Sequence, residues 1–336
     1  MTRVAVLGAG AWGTAFAAHL AARASESQDV TLWARDPASA GAIDAARENA
    51  RYLPGIPLPA RLAVAPSLDA VRAAEVLFAA VPMAGVPDLV QALAAAGIGA
   101  PLVLLAKGFV TDPAAPAGAA LAHQYLAARW SSGVGVVSGP SFADEVARGL
   151  PTALAVAATA PGLARTVASL IRGDAMRVYE SDDIVGVEIG GAVKNVLAIA
   201  AGASDGLGFG HNARAALVTR GLAETGRLSA ALGGSRETLM GLAGLGDLVL
   251  TCTGNLSRNR RVGLALAEGR DLADILGDLG HVAEGVPAAR AVRKLARVHG
   301  VDMPICEAVD RVLNEGLSPR QAVLELLRRE PRAERA

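Results

Sequence analysis

Only three lysines, Lys107, Lys194 and Lys294, stand among the 32 basic residues of the 336-residue chain; the others are arginines. An arginine keeps its charge in any protein site, whereas a desolvated lysine amine can lose its proton, so a lysine retained against such a bias points to proton transfer. Compositional chance is the competing explanation. Lys194 sits in "EIGGAVKNVLAIAAG", a run of glycine, alanine and aliphatic residues. On a helix it shares a face with Gly190 and Gly191 before it and with Leu197 and Ala198 after it. Two mid-helix glycines cost roughly 1 kcal/mol each against alanine. Something is therefore expected to approach closely there, with space left around the amine. Partial burial would lower the amine pKa toward neutrality, as a general acid–base requires; the alternative is a lysine whose head reaches water.

Candidate partners follow in "GLAGLGDLVLTCTGNLSRNRRVGLALAEG". Asp247 and Thr251 are four residues apart, hence on one face of a helix, where they could orient the lysine amine or a substrate hydroxyl. Ser257 reads as a helix N-cap with Arg258 and Asn259 in the first turn. Free backbone N–H groups, a helix dipole and a guanidinium together form a phosphate cradle, although a capped helix with a solvated basic start would show the same residues. Lys107, in "LLAKGF", directly follows a buried strand and needs a partner for its charge. The next strand ends in "SGPSFADEVARG", where Ser141 near the start of a helix is a substrate ligand or simply that helix's cap.

The elements that must position these residues divide at Asp183. In "RVAVLGAGAWGTAFAAHLAARA" a short strand, a turn with Gly8, Gly10 and Gly13, and an alanine-rich helix make a dinucleotide-binding unit. The helix N-terminus there faces the pyrophosphate. The second strand, "DVTLWARD", ends in Ala34 and Arg35 where an NAD-selective site usually places an acid; a guanidinium favours the 2′-phosphate of NADPH. Asp36 is either a late ribose ligand or a turn aspartate before Pro37, the second being the better fit. The apolar strands "EVLFAAVP", "PLVLLAKG", "GVGVVSGP", "PTALAVAAT" and "MRVYES" alternate with helices, which predicts a parallel sheet covered on both faces, with ligands beyond its carboxyl ends. Long helical segments follow. The expected fold is α/β: a Rossmann-type doubly wound sheet over residues 1–183, then an all-helical substrate-binding and catalytic domain over 184–336.

Composition narrows the partners. Thirty-two acidic residues balance 32 basic ones without a block of like charge, and aromatics are scarce, so neither nucleic acid nor an acidic membrane surface is expected. The uncharged run Leu89 to Ala106 is broken by Gly97, Gly99 and Pro101 into a helix and a strand, so no membrane span is expected, and the N-terminus does not read as a secretory signal. Cys252 and Cys306 lie in no metal-ligand spacing; no metal site is predicted and a reducing cytoplasm fits. The tail "EPRAERA" reads as solvated and frayed. The sequence is compatible with a homodimer without fixing the oligomeric state.

With these residues in hand, the chain resembles the bacterial-type NAD(P)-dependent sn-glycerol-3-phosphate dehydrogenases. The likeness runs from "GAGAWGTA" through "LLAKG", "SGPSFADEVA", "GGAVKN", "DGLGFGHNARAALVTRGLAE" and "GLGDLVLTCTGNLSRNRR" to "VAEGV". It implies reduction of dihydroxyacetone phosphate to sn-glycerol 3-phosphate for glycerophospholipid synthesis, with NADP or NAD as cofactor and NADPH favoured. It also implies a helical domain similar to that of 6-phosphogluconate dehydrogenase. By matching position, Lys194 is the proton donor and acceptor, and Lys107 contacts cofactor and substrate. Gly139, Ser141, Asp247, Ser257, Arg258 and Asn259 fall at substrate positions. Ala11 and Trp12 in the glycine turn, Arg35, Ala143, Val282 and Glu284 fall at cofactor positions, with Arg258 shared. Two departures are mild: Ala106 replaces a common serine, and Arg214 stands where many members have lysine. A 3-hydroxyacid dehydrogenase of the 6-phosphogluconate dehydrogenase type would share both domains and the lysine, but the Ser257–Asn259 cradle argues for phosphate. A non-catalytic NAD(P) sensor would have no reason to keep a desolvated lysine beside an aspartate.

Overall fold

The computed structural model describes residues 2–23, 28–280 and 282–330. The last six residues of the "EPRAERA" tail lie outside them. The described strands are β1 (Thr2–Leu7), β2 (Gln28–Trp33), β3 (Leu62–Ala65), β4 (Val76–Ala79), β5 (Leu102–Leu104), the short pair β6 (Val110–Thr111) and β7 (Ala119–Ala120), then β8 (Val134–Ser138), β9 (Thr152–Ala158) and β10 (Met176–Ser181). Interleaved with them are α1 (Ala11–Arg23), α2 (Pro37–Ala46), α3 (Val86–Ala95), α4 (Ala122–Ala127), α5 (Ala143–Ala147) and α6 (Leu163–Ile171). The main sheet runs β10-β9-β8-β5-β4-β1-β2-β3, and β6 and β7 form a separate hairpin. Chain order reverses between β1 and β4, the switch point at which such sheets open a crevice for a ligand.

Both faces of the sheet are buried, which is why its strands read as continuous apolar runs. Along β1, Val4 and Val6 pack with Phe16 and Leu20 of α1 and with Val167 of α6. Ala5 and Leu7 point the other way, to Leu89 and Leu93 of α3 and Leu126 of α4. The Leu89 to Ala106 run resolves into the end of α3 and then β5, as its glycines and proline indicate.

The sheet is not wholly parallel. β8 pairs antiparallel with β9, Gly135 opposite Ala158, and β10 runs parallel to β9. The connection after β8 contains only the five-residue α5. β9 starts at the end where β8 stops, and the apolar composition of a strand buried on both faces is the same in either direction.

After β10 the chain is helical: α7 (Ile184–Gly206), α8 (Gly210–Ala231), α9 (Arg236–Leu239), a π turn (Leu242–Gly246), α10 (Asp247–Thr253), α11 (Arg258–Ala267), α12 (Leu272–Leu279), α13 (Gly285–Val298), α14 (Pro304–Asn314) and α15 (Pro319–Leu327). Asp183 caps α7, accepting from the Gly186 N–H at 2.7 Å and the Ser235 N–H at 2.8 Å. α7 is the axis of this half. By length and composition it could cross a membrane, but 83% of its apolar window is buried against protein, the mark of a core helix. α11 crosses it with backbones in contact: a Cβ on Gly263 would lie 2.0 Å from the Ile199 carbonyl oxygen. Near the end of α7, Asp205 accepts from Arg214 of α8 at 2.9 Å and from Arg260 of α11 at 2.7 Å, so the arginine at 214 has a defined partner.

Candidate functional site

A cavity of about 1300 Å³ opens at the carboxyl ends of β1, β2 and β4 and extends to the start of α11, with walls from both halves of the chain. At its sheet end Gly8 has φ +118°, and a Cβ there would come within 3.0 Å of the Ala80 backbone. Gly13 is buried off the cavity and holds α1 on the turn: a Cβ would fall 1.9 Å from the Gly8 carbonyl oxygen. Gly10, Ala11 and Trp12 line the cavity, and a Cβ on Gly10 would meet no protein atom within 4 Å. Bare backbone at the N-terminus of a thirteen-residue helix fits a diphosphate. Arg35, Ala143, Val282 and Glu284 line the same cavity. Glu284 accepts from the Met83 N–H at 3.1 Å, and burial raises its carboxyl pKa. Asp36 caps α2, accepting from the Ser39 N–H at 2.9 Å, in agreement with the turn-aspartate reading.

At the other end, α7 and α10 bring three ionisable groups together. Lys194 Nζ donates to Asp247 Oδ1 at 2.5 Å and to Thr251 Oγ1 at 3.0 Å. Thr251 in turn donates to the Asp247 carbonyl at 2.6 Å, the one-turn contact expected from their spacing. Lys107 Nζ donates to Asp247 Oδ2 at 2.6 Å and to the Gly139 carbonyl at 2.9 Å, so the charge after the buried strand has its partner 140 residues away. Asp247 is 1% exposed and Lys194 8%, whereas Lys294 is on the surface. Burial pulls the Lys194 ammonium down to about 8, against the pull of Asp247 and with that of Lys107. Burial would raise the Asp247 carboxyl, but the two ammonium groups outweigh it and hold it low.

The space beside Gly190 and Gly191 is filled by protein, while Lys194 itself reaches the cavity. A Cβ on Gly190 would fall 2.4 Å from the Ala243 carbonyl oxygen, and one on Gly191 would lie 2.9 Å from Ser138 Oγ and 3.4 Å from Lys107 Cγ. The glycines admit the π turn that delivers Asp247 and let Lys107 pass beside α7. Lys194 owes its low pKa to this packing.

Ser257 caps α11, accepting from the Arg260 N–H at 3.2 Å, and Arg258 and Asn259 occupy its first turn. All three line the cavity with Lys107, Lys194, Ser141 and Thr251. Ser141 is not a cap: α5 begins after Phe142, and Ser141 Oγ donates to the Gly139 carbonyl at 2.9 Å. Gly139 and Asp247 act from behind the wall. Arg258 is half-buried, has no carboxylate partner among the described residues, and is pushed below the usual guanidinium range by burial and by Arg261. Asn195 and Arg51 are among the wall residues that sequence reasoning missed. Asn195 Oδ1 accepts from Asn259 Nδ2 at 2.9 Å, which locks the cradle to the helix of Lys194; its adjacency to that lysine was the only local signal.

Two family models together cover most of the chain: the NAD-dependent glycerol-3-phosphate dehydrogenase N-terminus over residues 3–164 and the C-terminus of the same enzyme over 183–324. A protein from Aromatoleum aromaticum named glycerol-3-phosphate dehydrogenase (NAD(P)+) is 54% identical over 336 residues, covering 99% of this chain and 100% of the relative. One of the same name from Ralstonia nicotianae is 54% identical over 343 residues, covering 99% of each. The crystal structure of glycerol-3-phosphate dehydrogenase from Coxiella burnetii matches with a TM-score of 0.91 at 41% identity, over 98% of this chain and 99% of that one. D-mandelate dehydrogenase with NADH, at 12% identity and a TM-score of 0.57, shares the fold alone. With the glycine turn, the buried lysine–aspartate pair and the capped arginine helix in one cavity, the chain belongs to the NAD-dependent glycerol-3-phosphate dehydrogenase family.

Proposed function

We propose that the protein reduces dihydroxyacetone phosphate to sn-glycerol 3-phosphate with NADPH, and accepts NADH less well. The observation that carries the substrate assignment is Arg258, a half-buried guanidinium without a carboxylate partner among the described residues, at a capped helix start in the same cavity as Lys194. An anion there gains the guanidinium, the Ser257 hydroxyl and the N-terminal N–H groups of α11. A nicotinamide cofactor held at the glycine turn would supply hydride to the substrate carbonyl carbon. Lys194 uses two N–H groups on Asp247 and Thr251; the third serves the substrate carbonyl oxygen, stabilises the negative charge that develops there and gives up its proton. Asp247 holds both ammonium groups in place and stays ionised, so the pair it forms with Lys107 remains neutral overall once Lys194 is an amine. Proton return from water through the open cavity resets the site.

Arg35 beyond β2, with Asp36 committed to capping α2, favours NADPH over NADH. The division of labour is a cofactor domain over residues 1–183 and a substrate domain over 184–336. Glycerophospholipid synthesis in the cytoplasm is the setting that family membership and the two free cysteines fit. The test is to follow loss of reduced nicotinamide with dihydroxyacetone phosphate and with unphosphorylated dihydroxyacetone. Turnover is expected only with the phosphate ester and at higher kcat/KM with NADPH. Equal turnover of both ketones would remove the phosphate site, and equal kcat/KM for the two cofactors would remove the NADPH preference.

A further inference from the structure

The cavity wall that includes Arg35 and Asp36 also takes in the segment between α2 and β3, and that segment is tied to the glycine turn itself. Asn49, 2% exposed, donates from Nδ2 to the Ala9 carbonyl at 2.9 Å and to Thr14 Oγ1 at 2.8 Å, and its Oδ1 accepts from the Tyr52 N–H at 3.3 Å. Upstream, Arg47 takes the left-handed conformation, φ 51°, and its guanidinium donates to the Pro59 and Leu62 carbonyls at 2.6 and 2.8 Å. Arg51 lies between these anchors on the cavity wall, with its guanidinium carbon 5.0 Å from the Tyr52 ring centroid. Among the described residues no carboxylate lies within ion-pair distance of it.

The charges at this end of the cavity do not favour a 2′-phosphate if Arg35 acts alone. Asp36 lines the same wall, so Arg35 and Asp36 together sum to zero. Asp36 is held low chiefly by the Ser39 hydroxyl and the Ser39 N–H, with Arg51 contributing, which puts Arg51 within electrostatic reach of the same spot. Arg51 makes the sum positive. We propose that Arg51 is a specificity-determining residue which, together with Arg35, receives the 2′-phosphate of the adenosine ribose. This rests on the NADPH preference proposed above. A guanidinium steadied on an aromatic ring and carried by a pinned segment is preorganised for a phosphate.

The experiment is calorimetric titration of 2′,5′-ADP and of 5′-AMP into the full chain as wild type, Arg51→Ala and Arg51→Lys, beside kcat/KM for NADPH and NADH. Wild type should bind 2′,5′-ADP more tightly than 5′-AMP. Arg51→Ala should cut that preference about tenfold with 5′-AMP affinity unchanged, the low end for a charge-assisted contact at a solvent-facing site. Arg51→Lys should keep most of it. Equal weakening of both nucleotides would make Arg51 a support of the segment and overturn the proposal; so would a preference that survives Arg51→Ala, which leaves the NADPH reading standing on Arg35. A wild type without any preference for 2′,5′-ADP would remove the NADPH reading and the role of Arg51 with it. Unchanged 5′-AMP affinity in each variant shows that it is folded.

Discussion

The Lys194 ammonium is placed between opposed demands: burial favours the neutral amine, and Asp247 favours the charge. Their balance near 8 leaves the group mostly protonated at neutral pH yet able to give its proton to an alkoxide. Ketone reduction needs the ammonium, so its kcat should fall as pH rises through about 8, whereas alcohol oxidation needs the amine and should rise over the same range. Opposed pH profiles in the two directions would establish this; parallel ones would assign the proton elsewhere. Lys194→Arg should keep the fold and NADPH affinity while kcat drops about 10²–10⁴-fold, because a guanidinium offers charge but does not readily release a proton. Turnover within a few fold of wild type in a folded variant would make Lys194 structural. Arg258→Ala acts at the other end of the substrate. Loss of one charge-assisted contact should weaken binding by roughly 1.5–3 kcal/mol, read as a raised KM for dihydroxyacetone phosphate. A near-wild-type KM would move the phosphate to another place.

Among the elements, α14 is held by a carboxylate from α8. Glu224, 2% exposed, accepts from the Ile305 N–H at 2.8 Å and the Cys306 N–H at 3.2 Å, satisfying the first donors of the helix. Burial raises its pKa to about 7, above the ordinary 4.5, despite those two bonds. The native chain thus retains a proton that the unfolded chain has already released. This contribution to stability is fully present below about pH 4.5 and is lost as pH rises through about 7. The gap between the two values corresponds to roughly 3 kcal/mol. Glu224→Gln, which cannot ionise, should flatten that part of the curve of unfolding free energy against pH. Urea midpoints from pH 4 to 8 measure it, and a slope identical to wild type would exclude Glu224 as its source.

At the scale of the molecule, one cavity is walled by both halves of the chain, so its ligands should stabilise the whole through binding linkage. NADPH at a hundred times its Kd should add about 2.7 kcal/mol to unfolding. sn-Glycerol 3-phosphate with NADP+ should add a further increment. In Arg258→Ala the cofactor increment should persist and the phosphate increment shrink, as melting temperatures would show. Loss of both together would mean that α11 supports the fold more than it binds the substrate.

Much of this was legible in local stretches of sequence, because turns, caps and helical periodicity are decided by neighbours. The Gly8–Gly13 turn, the Lys194 helix face, the Asp247–Thr251 pair and the Ser257 cap each depend on residues within about one turn of one another. What the three-dimensional fold alone decided involves residues distant in the chain. The antiparallel β8–β9 pairing is of this kind, because strand composition carries no mark of direction. That Lys107 meets Asp247, that Gly190 and Gly191 admit a π turn and a neighbouring lysine, and that Asn49 pins Arg51 beside the dinucleotide turn depend on how α7 packs on the sheet and how the segment after α2 folds back. Close packing sets such contacts by shape between elements, and a linear pattern of residue types does not encode it.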